Sequence, residues 1–181
     1  MSPSPAFQIR LCTEGDIPAL ERLIPLSVRA LHAEVYTPAQ ISGALGTVFG
    51  VDSQLIRDGT YFVAEVVGTI VGCGGWSRRR TLFGSDQGKT EPDLPLDPLS
   101  EPARIRAFFV HPDWARRGIG RRIMEAAESA AIAAGFKRID IVATLVGEPL
   151  YRSFGYGVME RYEVLLPNGA RLPVVRLSNV I

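Results

Sequence analysis

Arg116-Arg117-Gly118-Ile119-Gly120-Arg121 constrains this chain more than any other stretch. It follows the apolar run Phe108-Phe109-Val110 and opens an alanine-rich helical pattern that begins near Ile119. Strand, basic glycine-containing turn and helix, in that order, make a geometry that holds an anion. The unpaired amides of the first helical turn point outward, and the helix dipole favours negative charge there. Glycines at 118 and 120 remove Cβ atoms that would keep a phosphate from the backbone. Arg116, Arg117, Arg121 and Arg122 add fixed positive charge and bidentate donors. A helix that merely starts after a tight turn has the same local pattern, so the rest of the chain must decide.

Two common phosphate loops are excluded. The third glycine of a dinucleotide fingerprint is missing, and Asp140, near the distance where that motif has an acidic residue, falls inside a predicted strand. The chain also has no Gly-Lys-Ser/Thr, so this is not a P-loop.

Composition narrows the class further. The chain has 181 residues, which suits a single domain over 1–181 with a sizeable core. A formal net charge of +1 argues against a general nucleic-acid binder. Only Lys89 and Lys137 are lysines, so the 20 Lys+Arg comprise 20 − 2 = 18 arginines. Cys12 and Cys73 sit in apolar strand patterns and read as buried free thiols, with neither a disulfide framework nor a metal site. Residues 1–5 lack the basic and apolar character of a secretory signal. No segment reaches the roughly 20 apolar residues of a membrane span, and a cytoplasmic protein that binds neither membrane nor nucleic acid is expected.

Periodicity predicts a strand over 7–12 and then a helix with Asp16 as N-cap and an apolar stripe of Ile17, Leu20, Leu23, Ile24, Val28 and Leu31. Pro25 is expected to kink or divide that helix. Thr37-Pro38 starts a second helix, with Ile41, Leu45, Val48 and Phe49 on one face. Strands follow over 61–67 and 69–76 around a turn at Gly68, then a long loop over 78–101. The remainder reads as a strand over 104–110, a helix over 119–134, a strand over 138–143, a short helix over 147–154 and a hairpin of 158–166 with 172–177. This order implies an α+β fold with a mixed, mostly antiparallel sheet and helices on both faces. Only the strands bridged by the long helix need run parallel.

With the surroundings read, the basic loop resembles a known one. Val110-His111-Pro112, followed by Trp114-Ala115-Arg116-Arg117-Gly118-Ile119-Gly120-Arg121, resembles the acyl-coenzyme A loop of the GNAT N-acetyltransferase superfamily, usually written Arg/Gln-x-x-Gly-x-Gly/Ala. Downstream, Pro149-Leu150-Tyr151-Arg152-Ser153-Phe154-Gly155-Tyr156 is similar to the superfamily's Phe-Tyr-x-x-x-Gly-Phe signature. The gap between the two motifs is similar as well, and the resemblance covers the chain from about Phe7 to the C-terminal strands. Two positions depart from the pattern: Ala115 replaces the usual Arg or Gln, and Thr144 replaces an asparagine often found seven residues before the tyrosine.

The resemblance implies direct transfer of an acetyl group from acetyl-coenzyme A to a primary amine. It implies that the two parallel strands splay and that the pantetheine arm enters between them as an added strand. Backbone amides of Arg116, Arg117, Gly118, Ile119, Gly120 and Arg121 would anchor the pyrophosphate. Phe108, Phe109 and Val110 would hold the pantetheine, with an amide near Val110 polarising the thioester carbonyl. Tyr151 is the candidate general acid, because a phenol stays protonated at neutral pH and can protonate a departing thiolate. Glu65, Glu101, His111 and a water chain stand as alternative general bases. Glu34, Tyr36, Trp76 and Arg78-Arg79-Arg80 are candidates to line the cavity of a small-molecule or peptide amine. No metal is required, and the C-terminal hairpin offers a surface for a homodimer. The competing function is a non-catalytic coenzyme A-binding regulatory or interaction module.

Overall fold

Seven runs rich in β-branched and aromatic residues become the strands of one sheet: β1 (Gln8–Leu11), β2 (Tyr61–Val66), β3 (Thr69–Ser77), β4 (Ala103–Val110), β5 (Arg138–Thr144), β6 (Gly157–Leu165) and β7 (Arg171–Val180). The computed structural model describes residues 6–181. The segment read for a secretory signal, residues 1–5, lies outside the described residues. Strand order is β1-β2-β3-β4-β5-β7-β6. β4 and β5 run parallel and every other neighbouring pair is antiparallel, as the order of elements implied.

Helices cover both faces. On one, α1 (Ile17–Leu31) buries Leu20, Leu23, Ile24 and Val28 against Val63, Cys73 and Phe109. On the other, α4 (Ile119–Ala133) sets Ile119 and Ile123 on Ala64 and Val71, and Met124 on Ile105. Gly72 makes the second contact possible, since a Cβ there would stand 2.5 Å from Ile119 Cγ2. Both cysteines are free and buried in the α1-side core, and burial pushes each thiol up to about 12.

Three local readings need correction. α1 is not divided at Pro25, which lies within its span. The carbonyl that loses its partner belongs to Glu21, an exposed residue. Asp16 is the N-cap residue of α1, but its side chain makes no cap bond there: Oδ2 accepts from the Thr13 amide at 2.8 Å, closing a 3-10 turn ahead of the helix.

The second helix, α2 (Pro38–Ala44), is capped by Thr37 as predicted but stops before Leu45, because Gly46 turns left-handed with φ 93°. A short α3 (Ser53–Arg57), capped by Asp52, was missing from the sequence reading; five residues are too few to show a period. The long loop holds a 3-10 turn at Asp86–Gly88 and a bridge between Arg79 and Pro95. Arg79 Nε donates to Asp58 at 2.6 Å and Ser85 Oγ to the Gly46 carbonyl at 2.6 Å, so the first part of the loop is tied down at two points.

Candidate active site

The parallel pair is joined at only two positions, Ala103 with Ile139 and Arg104 with Asp140. Beyond them β5 stays paired with β7 as far as Thr144, while β4 stays with β3. A bulge turns β4 away. Between the pairs Cys73–Phe109 and Gly75–Arg106, β4 carries one residue more than β3, and Ala107 takes φ 56° to fit it. The Tyr61 hydroxyl donates to the Ala107 carbonyl at 2.6 Å and fixes the bulge. Gly74 leaves room for the displaced Phe108, whose ring would lie 2.6 Å from a Cβ there.

The result is a cleft of about 220 Å³ between the two strands. The His111 amide bonds the Val71 carbonyl on β3, so by alternation the Val110 amide points to the open side. There it donates to Ser27 Oγ at 3.2 Å. The amide that the resemblance assigned to carbonyl polarisation is thus already aimed into the cleft and held by a hydroxyl at hydrogen-bond length.

At the end of β4 the chain makes a 3-10 turn over Pro112–Trp114, passes Arg116 at φ 60° and Gly118 at φ 85°, and starts α4. Arg116, Arg117 and Gly118 are exposed, so the helix opens on solvent beside the cleft. The two glycines have different jobs. A Cβ at Gly118 would meet nothing, so that position needs glycine for its left-handed backbone. A Cβ at Gly120 would lie 3.2 Å from Leu150 Cδ2, so that glycine sets the approach of α5 (Glu148–Ser153). Arg117 stacks over Trp114 at 4.9 Å and Arg121 over Phe154 at 4.9 Å, which orients two of the loop's cations. Arg122 pairs loosely with Glu125 on the surface, away from this group.

Of the residues singled out by sequence, Phe108, Phe109, Val110, Gly120 and Tyr151 line the cleft. Arg116, Arg117, Gly118 and Arg121 form the helix start next to it, and the side chain of Ile119 turns inward onto Gly72. Tyr151 is 4% exposed. Its ring meets Phe108 edge-on at 5.9 Å and Tyr156 at 6.5 Å. Burial raises its pKa well above the ordinary phenol value, so it keeps its proton. No hydrogen-bond partner for its hydroxyl is present among the described residues. Thr144 lines the cleft, and its hydroxyl accepts from the Gly147 amide at 3.0 Å at the start of α5.

The base candidates lie elsewhere. Glu65 pairs with Arg10 at 2.7 Å near the far sheet edge, Glu101 accepts from the Asp97 amide at 2.8 Å, and His111 Nδ1 accepts from the Asp113 amide at 3.1 Å. None lines the cleft. The proposed acceptor wall also differs. Trp76 is core beneath α4, and Arg79 is committed to Asp58. Tyr36 is buried, its hydroxyl bridging the Leu145 amide and the Pro173 carbonyl at 2.9 and 2.7 Å.

Two lining side chains escaped the sequence reading. His32 ends α1, packs on Phe49 at 5.5 Å, and has its pKa lowered from 6.5 to about 4 by desolvation. Arg106 is buried, donating from Nη2 to Asp52 at 2.8 Å and to the Gly84 carbonyl at 2.7 Å. Among the described residues the ionisable side chains lining the cleft are His32, Arg106 and Tyr151, with no carboxylate.

Burying His32 neutral has a consequence for acid stability. The unfolded chain binds a proton as pH falls through 6.5, whereas the folded chain resists until about 4. The stabilisation is full above pH 6.5 and is lost between those values. Urea unfolding should show about 2 kcal/mol less stability at pH 5 than at pH 7 from this group. His32→Phe should remove that part of the slope, and an unchanged slope would refute the assignment.

A mixed sheet splayed at its parallel pair, with a glycine-started helix beside the opening, defines an α+β protein built around a cleft. Residues 57–158, more than half of the chain, match the family model of the acetyltransferase (GNAT) domain, and the chain belongs to that family. No curated protein matches it. Among solved structures, a GCN5-related N-acetyltransferase from Rhodopseudomonas palustris is 20% identical with a TM-score of 0.68, over 99% of this chain and 97% of that one. The PaiA N-acetyltransferase from Thermoplasma acidophilum, in complex with coenzyme A, is 13% identical with a TM-score of 0.66, over 97% and 99%. YncA from Salmonella typhimurium, with its cofactor acetyl-CoA, is 16% identical with a TM-score of 0.63, over 97% and 94%. At these identities the likeness establishes the fold. Among the described residues no helix is long and apolar enough to cross a membrane, and no group of three or more His, Cys, Asp or Glu side chains is placed to hold a metal ion.

Proposed function

We propose that this chain moves an acetyl group from acetyl-coenzyme A directly to a primary amine. The observation that carries the reading is the cleft itself. Strand backbone left unpaired by the splay runs from a basic helix start to a protonated, unpartnered tyrosine. The residues suit the cosubstrate. Amides from Arg116 to Arg121 suit a pyrophosphate, and the open edge of β4 from Phe108 to Val110 suits an amide-bearing arm. The complexes of PaiA with coenzyme A and of YncA with acetyl-CoA support the choice of ligand.

Bound acetyl-coenzyme A would supply an activated acetyl group as its thioester. The chain's own groups do the rest. The Val110 amide, released from Ser27, donates to the thioester oxygen as charge builds there. The amine nitrogen bonds to the acetyl carbon and the carbon–sulfur bond breaks. Tyr151 gives its proton to the leaving sulfur and regains one from solvent, which also takes the nitrogen's surplus proton. The single continuous sheet supports reading the chain as one catalytic domain.

Calorimetric titration with acetyl-coenzyme A and with coenzyme A tests this directly. Binding on the order of micromolar is expected, followed by thiol release when an amine is added. A folded sample that binds neither ligand would overturn the proposal.

A further inference from the structure

The amine-facing half of the cleft is lined on the α1 side by Leu31, Val48, Phe49, Leu82, Phe83 and Val174. An ammonium in such a place needs a carboxylate within reach, and among the described residues none lines the cleft. Arg106 is the one permanently charged side chain there, and its charge is already matched. Nη2 lies 2.8 Å from Asp52 Oδ2, and Nη1 donates to the Thr81 carbonyl at 3.2 Å. Asp52 is committed in turn, because its other oxygen takes Lys89 Nζ at 2.6 Å and the Gln54 amide at 3.0 Å. Its single charge already faces two cations. The two hydroxyls, each accepting one amide, Ser27 from Val110 and Thr144 from Gly147, are neutral and offer no counter-charge. The same desolvation that keeps the His32 imidazole neutral acts on any amine seated beside it.

We infer that the acceptor is a small monoamine with an apolar body, taken up as the free amine. This rests on the transferase reading above. The cleft strips the nucleophile of its proton by excluding water and withholding a counter-charge, so no strong base is required of the chain. A second ammonium, as in a polyamine or an aminoglycoside, would be buried unpaired. An α-carboxylate would find the charge of Arg106 already taken by Asp52, with Nε as an unpartnered donor among the described residues. The cleft holds about 220 Å³ and must also admit the thioester, which leaves room for one ring or a short branched chain.

The full-length protein with acetyl-coenzyme A is assayed by thiol release against phenylethylamine, phenylalanine and spermidine. The kcat/KM for phenylethylamine should exceed the other two by about a hundredfold or more, the loss expected for burying an unpaired charge. It should rise about tenfold per pH unit below the amine's own pKa, because only the free base is productive. Leu82→Glu places a carboxylate in the wall and should shift the ratio of spermidine to phenylethylamine by at least about tenfold towards spermidine.

A preference for spermidine or phenylalanine in the parent protein overturns the inference and leaves the transferase reading intact. If coenzyme A binds but no amine is acetylated, calorimetry of phenylethylamine against the coenzyme A-loaded protein separates the two ideas. Binding there keeps the cleft's choice of an apolar monoamine as its ligand and refutes the transfer step, whereas no binding refutes both. Failure to bind coenzyme A at all also removes both.

Discussion

Tyr151→Phe is expected to lower kcat by about a hundredfold or more while leaving coenzyme A affinity within about twofold of the parent. The ring is a packing element and the hydroxyl is not. Phe108 and Tyr156 meet the ring edge-on, and a Cβ at Gly147 would stand 3.1 Å from its Cε2. Phenylalanine keeps those contacts, so the α5 end of the cleft should hold its shape. What goes is the phenol's proton. On the proposed mechanism, burial keeps that proton in place until the thiolate forms. The cosubstrate surface proposed above is mostly backbone and is left unchanged. Single-turnover and steady-state rates, with calorimetry for affinity, check both halves. An unchanged kcat would reduce Tyr151 to a core residue, and a large loss of affinity would show that the ring position had shifted.

Features written in contiguous residues were legible beforehand. The helix start at Arg116–Arg121 needs only a strand before it, glycines within it and an apolar period after it. The single parallel pair followed from element order together with the rule that a strand–helix–strand unit runs parallel. The acceptor side was not legible in the same way. His32 reads as one more residue at the end of an amphipathic helix. Its role comes from Phe49, seventeen positions on, and from a cleft whose other wall is β5. Arg106 reads as a surface charge alternating along a strand, and its partner Asp52 is 54 residues away. Tyr36 and Trp76 were placed at the right ends of their elements, but a sequence does not say which way an aromatic at an element's end will turn. The bulge at Ala107 carries no residue signature, because alanine has no preference for positive φ. The splay itself was therefore expected through resemblance rather than from the residues.

Asp52→Ala is expected to cost about 3–5 kcal/mol in urea unfolding, far more than a surface substitution. The Asp52 side chain has no exposure and joins three segments. It caps α3 through the Gln54 amide, takes Arg106 of β4 at 2.8 Å and Lys89 of the long loop at 2.6 Å. Removing it leaves the buried Arg106 without a counter-charge, while Lys89 keeps only Asp93 at 3.6 Å, and this costs more than the lost attraction alone. Arg106→Met should cost less, because Asp52 keeps Lys89 as a partner. The double substitution should cost less than the sum of the two, since each single change creates the charge that the other removes.

The same cluster holds the wall of the cleft. Arg106 also donates to the carbonyls of Thr81 and Gly84, which flank Leu82 and Phe83. Freeing that segment should raise KM for the acceptor while the cosubstrate affinity, set at the start of α4, stays near its original value. If stability falls but KM for the amine does not move, the cluster serves the fold alone, and the walls at Leu82 and Phe83 are held by their own packing.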